Sequence, residues 1–177
     1  VEEYLRAMDA VSVDVVELGF RSLEHEGFRG GCAYTTDGFV RNLAVPAGLT
    51  LGVMVNTGEL ARHKDGVEVA VDALFARADD SPVTLVRLAS HFSEIRAALV
   101  ATERLHELGY RVGVNLMQIA DRTDDEIEEV ARLAAGSSPD VLYFADSLGS
   151  MTASQTSRIT AVLRRHWHGP LGIHTHD

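Results

Sequence analysis

The stretch Val141-Leu142-Tyr143-Phe144-Ala145-Asp146-Ser147-Leu148-Gly149-Ser150-Met151-Thr152-Ala153-Ser154-Gln155 contains one complete unit of the fold. Val141 to Ala145 is a short apolar run of strand character, and Asp146 to Ser150 has the polar and glycine chemistry of a turn. Thr152 and Gln155 have capping-box spacing, in which each side chain answers a backbone N–H that a helix start leaves without a partner. Strand, turn and helix thus follow one another directly. The same order recurs outward. Apolar, β-branched runs stand at Val13–Leu18, Leu51–Val55, Val83–Leu88, Arg111–Leu116 and Leu171–His174. Their near-continuous hydrophobicity, without polar alternation, predicts strands covered on both faces, as in a parallel sheet. Between them lie helical stripes with i, i+3, i+4, i+7 spacing, such as Val67, Ala70, Val71 and Leu74, or Ile127, Val130, Ala131 and Ala134. Thr123 with Glu126 repeats the capping-box spacing. Gly109 and Gly136 are expected just past helix ends, and Gly169-Pro170 is expected to close the helix begun near Thr152.

A helix, a strand and then five strand-with-crossover units of about 30 residues build either a doubly wound sheet or a (β/α)8 barrel. Arg29-Gly30-Gly31-Cys32-Ala33 lacks the G-x-G-x-x-G spacing that a dinucleotide-binding sheet needs, which favours the barrel. A doubly wound sheet without a dinucleotide stays open. A TIM barrel takes eight strands and about 250 residues. Residues 1–177 are therefore expected to form one partial TIM-barrel domain of about six strands, lacking the first and the eighth and cut at Val1 and at Asp177.

The 16 Lys and Arg against 26 Asp and Glu give a net charge of −10. That field repels phosphate backbones and anionic lipid, and no basic patch interrupts it, so neither nucleic acid nor a membrane surface is expected as a partner. No apolar run approaches the roughly 18 residues of a membrane-spanning helix. A single cysteine, Cys32, excludes an intrachain disulfide and fits a reducing, cytoplasmic compartment.

Barrel chemistry sits at the C-terminal ends of strands. Those ends carry Glu17, Asn56, His91, Asn115 with Gln118, Asp146 with Ser147, and His174 with His176. Any one of Glu17, Asn56 or His91 can equally be a helix cap or a loop bond. His174-Thr175-His176 is the most specific feature, because residues two apart on a strand share a face and can reach one metal ion. His166-Trp167-His168 has the same spacing but lies at a predicted helix end, where such residues diverge. Two histidines do not complete a site. With a carboxylate they would suit Mn2+, Mg2+, Co2+, Zn2+ or Fe2+. Asp177 is expected on the opposite face of the pleat. Backbone N–H groups after Ser147, with its hydroxyl, could hold a carboxylate or phosphate, or form an ordinary turn. Arg21 and the glycines near Gly30 are read as loop geometry.

Val86-Arg87-Leu88-Ala89-Ser90-His91, Gly113-Val114-Asn115-Leu116-Met117, Tyr143 to Met151 and Gly172-Ile173-His174-Thr175-His176-Asp177 together resemble the 4-hydroxy-2-oxovalerate-type pyruvate aldolases. These belong to the metal-dependent barrels that include hydroxymethylglutaryl-CoA (HMG-CoA) lyase and isopropylmalate synthase. Val15 to Ser22 and Cys32 to Asp37 resemble less characterised aldolase-domain proteins of the group. The resemblance implies a carbon–carbon lyase that makes or breaks a 4-hydroxy-2-oxo acid, to or from pyruvate and an aldehyde, through a metal-stabilised enolate. It implies His174 and His176 as ligands of a divalent ion, Mn2+ or Mg2+ foremost, with Co2+ or Zn2+ as alternatives. It places Ser147 beside the 2-oxo acid's carboxylate and Asn115 at the pocket wall. The family's Arg-Asp element, which supplies the third ligand and an enolate-stabilising Arg, and the base, are expected upstream of Val1. Without them the 177 residues are expected to be inactive alone. A Claisen-type acyl-CoA synthase or lyase, and a degenerate barrel used as a binding module, stay open. The Asp-Ser-x-Gly-x-Met turn leans to the aldolases, since the synthases more often have Thr after the Asp. A homo-oligomer and an aldehyde dehydrogenase partner are left open.

Overall fold

Strand boundaries are set by pairing, which hydrophobicity locates only to within a few residues. The computed structural model describes residues 1–137 and 139–176. Its strands are β1 Val15–Phe20, β2 Thr50–Asn56, β3 Leu85–Ser90, β4 Arg111–Leu116, β5 Val141–Ala145 and β6 Leu171–His174. The last three match the apolar runs. β1 and β3 begin two residues late, at the points where Val15 meets Thr50 and Leu85 meets Gly52. The helices are α1 Glu2–Ala10, α2 Asp37–Arg41, α3 Thr57–Ala61, α4 Val67–Leu74, α5 Ile95–Glu107, α6 Asp124–Ser137 and α7 Ala153–Leu163.

The six strands are all parallel and lie in the order β1-β2-β3-β4-β5-β6. Each crossover returns to the adjacent position, so the order never reverses and the crevice of a doubly wound sheet does not arise. The sheet is an incomplete barrel of the TIM type, as expected.

The expectation that the strands lack polar alternation is corrected. Register places Val53, Val86, Val112, Val114, Leu142 and Phe144 on the helix side, where all are buried. There they pack with Leu60 of α3, Ala70 of α4, Leu105 of α5, Ile127 of α6 and Ile159 of α7. The intervening positions face the concave side: Glu17, Met54, Arg87, Asn115, Tyr143 and His174, with Gly52, Gly113 and Gly172 among them. Hydrophobicity is continuous only if the occasional polar residue is averaged away, and apart from the buried Ser90 at the end of β3 those polar residues fall on the concave face. Among the described residues no helix is long and apolar enough to cross a membrane.

Helix ends follow the predicted chemistry in most places. In the Thr123 box, the Glu126 N–H donates to Thr123 Oγ1 at 3.3 Å and the Thr123 N–H donates to Glu126 Oε2 at 2.9 Å. Thr152 and Gln155 exchange the equivalent bonds at 3.2 and 2.9 Å. Gly109 follows the C-cap Leu108 with φ +94°, the left-handed geometry for which glycine is selected. Two positions differ from expectation. Gly136 lies inside the last turn of α6, which runs on to Ser137. α7 ends at Leu163, before Gly169-Pro170; the chain leaves it through turns in which the Trp167 N–H donates to Leu163 O at 2.9 Å, and the Trp167 side chain is buried. The indole Nε1–H donates to Pro170 O at 2.9 Å. A Cβ on Gly169 would lie 2.5 Å from the ring, so that glycine serves Trp167 and not the helix end.

Candidate functional site

A parallel sheet carries all its strand ends to one rim, so residues far apart in sequence meet there. Asn115 from β4, Ser147 from the β5–α7 turn, and His174 and His176 from the end of β6 line one cavity of about 420 Å³, together with Glu17 and Arg87. A second hollow of about 430 Å³ runs on along the concave face. It shares Glu17, Arg87, Asn115 and His174 and adds Tyr143. All four residues singled out from the sequence therefore reach one place.

The His174 and His176 rings lie side by side, with centroids 4.7 Å apart and planes 13° from parallel. His174 sits in register with Ala145, whose small side chain leaves room above β5. Arg87 approaches from β3, with Nη1 3.4 Å from His174 Nδ1. Its guanidinium grips Glu17 through two bonds of 2.6 Å, from Nε to Oε2 and from Nη2 to Oε1, and Nη2 also reaches Met54 Sδ at 3.0 Å. Partial burial, then the positive Arg87 and the neighbouring His176, hold the His174 pKa below the ordinary imidazole value, against an opposing pull from Glu17. The neutral ring this favours is the form that ligates a metal.

Two imidazoles side by side are borderline donors that suit a divalent transition metal. They fit such an ion in kind and supply part of its coordination. Among the described residues no group of three or more His, Cys, Asp and Glu is placed to hold one, and Glu17 is engaged by Arg87. Asp177, expected on the opposite face, lies outside the described residues.

The turn after β5 divides its labour. Asp146, buried, accepts the Ser150 N–H at 3.0 Å on Oδ1 and the Met151 N–H at 2.9 Å on Oδ2. These bonds hold its pKa below the ordinary aspartate value. The backbone N–H groups expected to receive a ligand's carboxylate are thus taken, in this turn, by the protein's own carboxylate. Ser147 remains. Its Oγ accepts the Gln118 N–H at 3.1 Å, which fixes the side chain and leaves the hydroxyl hydrogen free to donate. Asn115 is only 2% exposed, and its Oδ1 is buried without a hydrogen-bond partner among the described residues.

Other rim residues take the plainer of their two readings. Asn56 caps α3 by accepting the Gly58 N–H at 2.9 Å. His91 caps a short turn over Phe92–Glu94. Gln118 contributes its backbone. His166 Nε2 lies 3.0 Å from Glu128 Oε1, a helix-side contact, so the decoy motif forms no pair of ligands. Arg21 is 3% exposed and ties the loop after β1 to Thr35 O and Leu74 O, each at 3.1 Å, and to Asp37, with its guanidinium over the Phe75 ring. It pins a loop, as expected.

Sequence reading missed Arg87 and Tyr143 as site residues. The signal for Arg87 was a lone charge within an apolar strand. For Tyr143 it was a glycine on each neighbouring strand, Gly172 in register with it and Gly113 two residues before its partner Asn115.

No family model matches the chain. It is 28% identical over 95 residues, 54% of its length, to a 4-hydroxy-2-oxovalerate aldolase of Brevibacillus brevis, and this match covers 28% of that relative. Among solved structures, the N-terminal domain of a proposed aldolase from Bacteroides vulgatus matches 98% of the chain with TM-score 0.78 and 21% identity. Bacillus subtilis HMG-CoA lyase matches 99% with TM-score 0.71 and 11% identity. The carboxyl transferase domain of Rhizobium etli pyruvate carboxylase matches 99% with TM-score 0.68 and 13% identity. The chain spans 56%, 60% and 32% of these three. The structural likenesses show the fold. The aldolase likeness in sequence rests on the Brevibacillus brevis relative.

Proposed function

We propose that the chain carries a metal- and substrate-binding surface of an aldolase that acts on 4-hydroxy-2-oxo acids, releasing pyruvate or a related 2-oxo acid and an aldehyde. The observation that carries this reading is the convergence of Asn115, Ser147, His174 and His176 on one cavity at the strand ends. The name of the Brevibacillus brevis relative supports it.

In this reading His174 and His176 hold a divalent ion, Mn2+ or Mg2+ foremost. When bound, such an ion supplies Lewis acidity to the keto oxygen, where negative charge develops. Ser147 donates its hydroxyl hydrogen to the substrate carboxylate, with its oxygen already anchored by Gln118. Asn115 borders the C4 side. Cleavage breaks the C3–C4 bond and leaves its electron pair on the enolate, while the C4 hydroxyl gives its proton to a base and becomes the aldehyde carbonyl. Arg87 holds Glu17 away from the imidazoles and presents its own edge to His174.

The test is Mn2+-dependent pyruvate release from a 4-hydroxy-2-oxo acid by the intact protein, with circular dichroism as a check on folding. His174→Ala and His176→Ala are each expected to abolish it. Full activity in either folded variant, or condensation of acetyl-CoA with a 2-oxo acid in place of cleavage, would refute the assignment.

A further inference from the structure

The concave face beyond the histidines contains polar groups with no partner and no net charge to offer. The Asn115 carboxamide, 2% exposed, makes no side-chain hydrogen bond to the described residues, and its Oδ1 is fully covered. Tyr143, one strand over in register with Asn115, makes none through its hydroxyl. The Tyr143 ring is bedded between two glycines: a Cβ on Gly113 would lie 2.8 Å from it, and one on Gly172 would lie 2.4 Å away. Both side chains line the hollow that continues from the histidines. Among the described residues that line this hollow the one guanidinium, that of Arg87, is already matched by Glu17 through two bonds. A second carboxylate or a phosphate on the ligand would find Glu17 competing for that charge. An alkyl tail would leave the Asn115 amide still without a partner and would cover the Tyr143 hydroxyl as well, which is costly for a polar group. A hydroxyl is both donor and acceptor, so it can answer the amide and the phenol together.

Building on the aldolase reading above, we propose that the aldehyde half of the substrate bears a hydroxyl group, and that Asn115 and Tyr143 select it over an alkyl group. The ligand class is a neutral hydroxyaldehyde, joined to pyruvate as a hydroxylated 4-hydroxy-2-oxo acid. Sites that hydrogen-bond a substrate hydroxyl discriminate strongly against the analogue lacking it, whereas apolar pockets discriminate weakly.

The test is aldol addition of pyruvate, with Mn2+ and the intact protein, to glycolaldehyde or to propanal, which differ by hydroxyl against methyl. The ratio of kcat/KM for the two aldehydes is independent of how much protein is folded. Wild type is expected to favour glycolaldehyde by about tenfold or more, and Asn115→Leu and Tyr143→Phe to shrink that ratio by about fivefold or more each. Tyr143→Phe keeps the ring on its glycine bed and serves if Asn115→Leu does not fold. Equal or better use of propanal by wild type, or a ratio that neither variant moves, would overturn the hydroxyl inference and leave the aldolase reading standing. Reaction with neither aldehyde would overturn both.

Discussion

Asp146 and Ser147 are neighbours with separate tasks: one carboxylate closes the turn, and one hydroxyl is held ready for a ligand. Because backbone bonds lower the Asp146 pKa in the folded state, its contribution is present above the ordinary aspartate value of 3.8 and is lost as pH falls through the lower native value. Urea unfolding across this range should show stability falling in that acid window for wild type. Asp146→Asn should unfold at lower urea near neutral pH and show a shallower acid slope; an unchanged slope would mean that the turn does not depend on the charge. The site residues differ in how readable they were. His174 and His176 carry a spacing that, at the end of a strand, brings two rings side by side. Arg87 carries no such spacing, because its role depends on Glu17, 70 positions away, arriving on the same face.

At the scale of elements, α7 begins at a box whose two side chains make reciprocal bonds with the backbone. Thr152→Ala removes one acceptor and should cost about 1 kcal/mol in equilibrium unfolding. The Tyr143 bed gives a sharper test across three strands. Gly172→Ala places a methyl 2.4 Å from the ring, so either the ring or the strand must shift, at about 1–3 kcal/mol. Gly172→Ala combined with Tyr143→Ala should recover most of that cost in a double-mutant cycle, whereas additive losses would mean that the two do not touch. Element types and most caps were legible because they depend on residues within one turn of each other. Gly136 and Gly169 were misplaced because a helix ends where tertiary contacts stop supporting it. Beyond α7 the chain turns to bury Trp167, and Gly169 packs against that ring.

For the whole molecule, the parallel sheet separates stability from chemistry by face. Leu142 is fully buried on the helix side, and truncation to Ala should cost about 2–5 kcal/mol. Met54 on the concave side is half-buried, and its truncation should cost less than about 1.5 kcal/mol. Equal losses by chemical denaturation would contradict the division into two faces. The sequence by itself determined the strand-and-crossover succession, the parallel class, most of the caps, and the spacing of His174 and His176, since each follows from periodicity or short-range spacing. Only the tertiary structure decided which strand residues face the cavity, that Arg87 joins Glu17 beside His174, that the Asp146 turn answers its own backbone, and that the Asn115 and Tyr143 side chains find no hydrogen-bond partner among the described residues. Those facts depend on the register between strands, and register is a property of paired strands that no single strand's sequence contains.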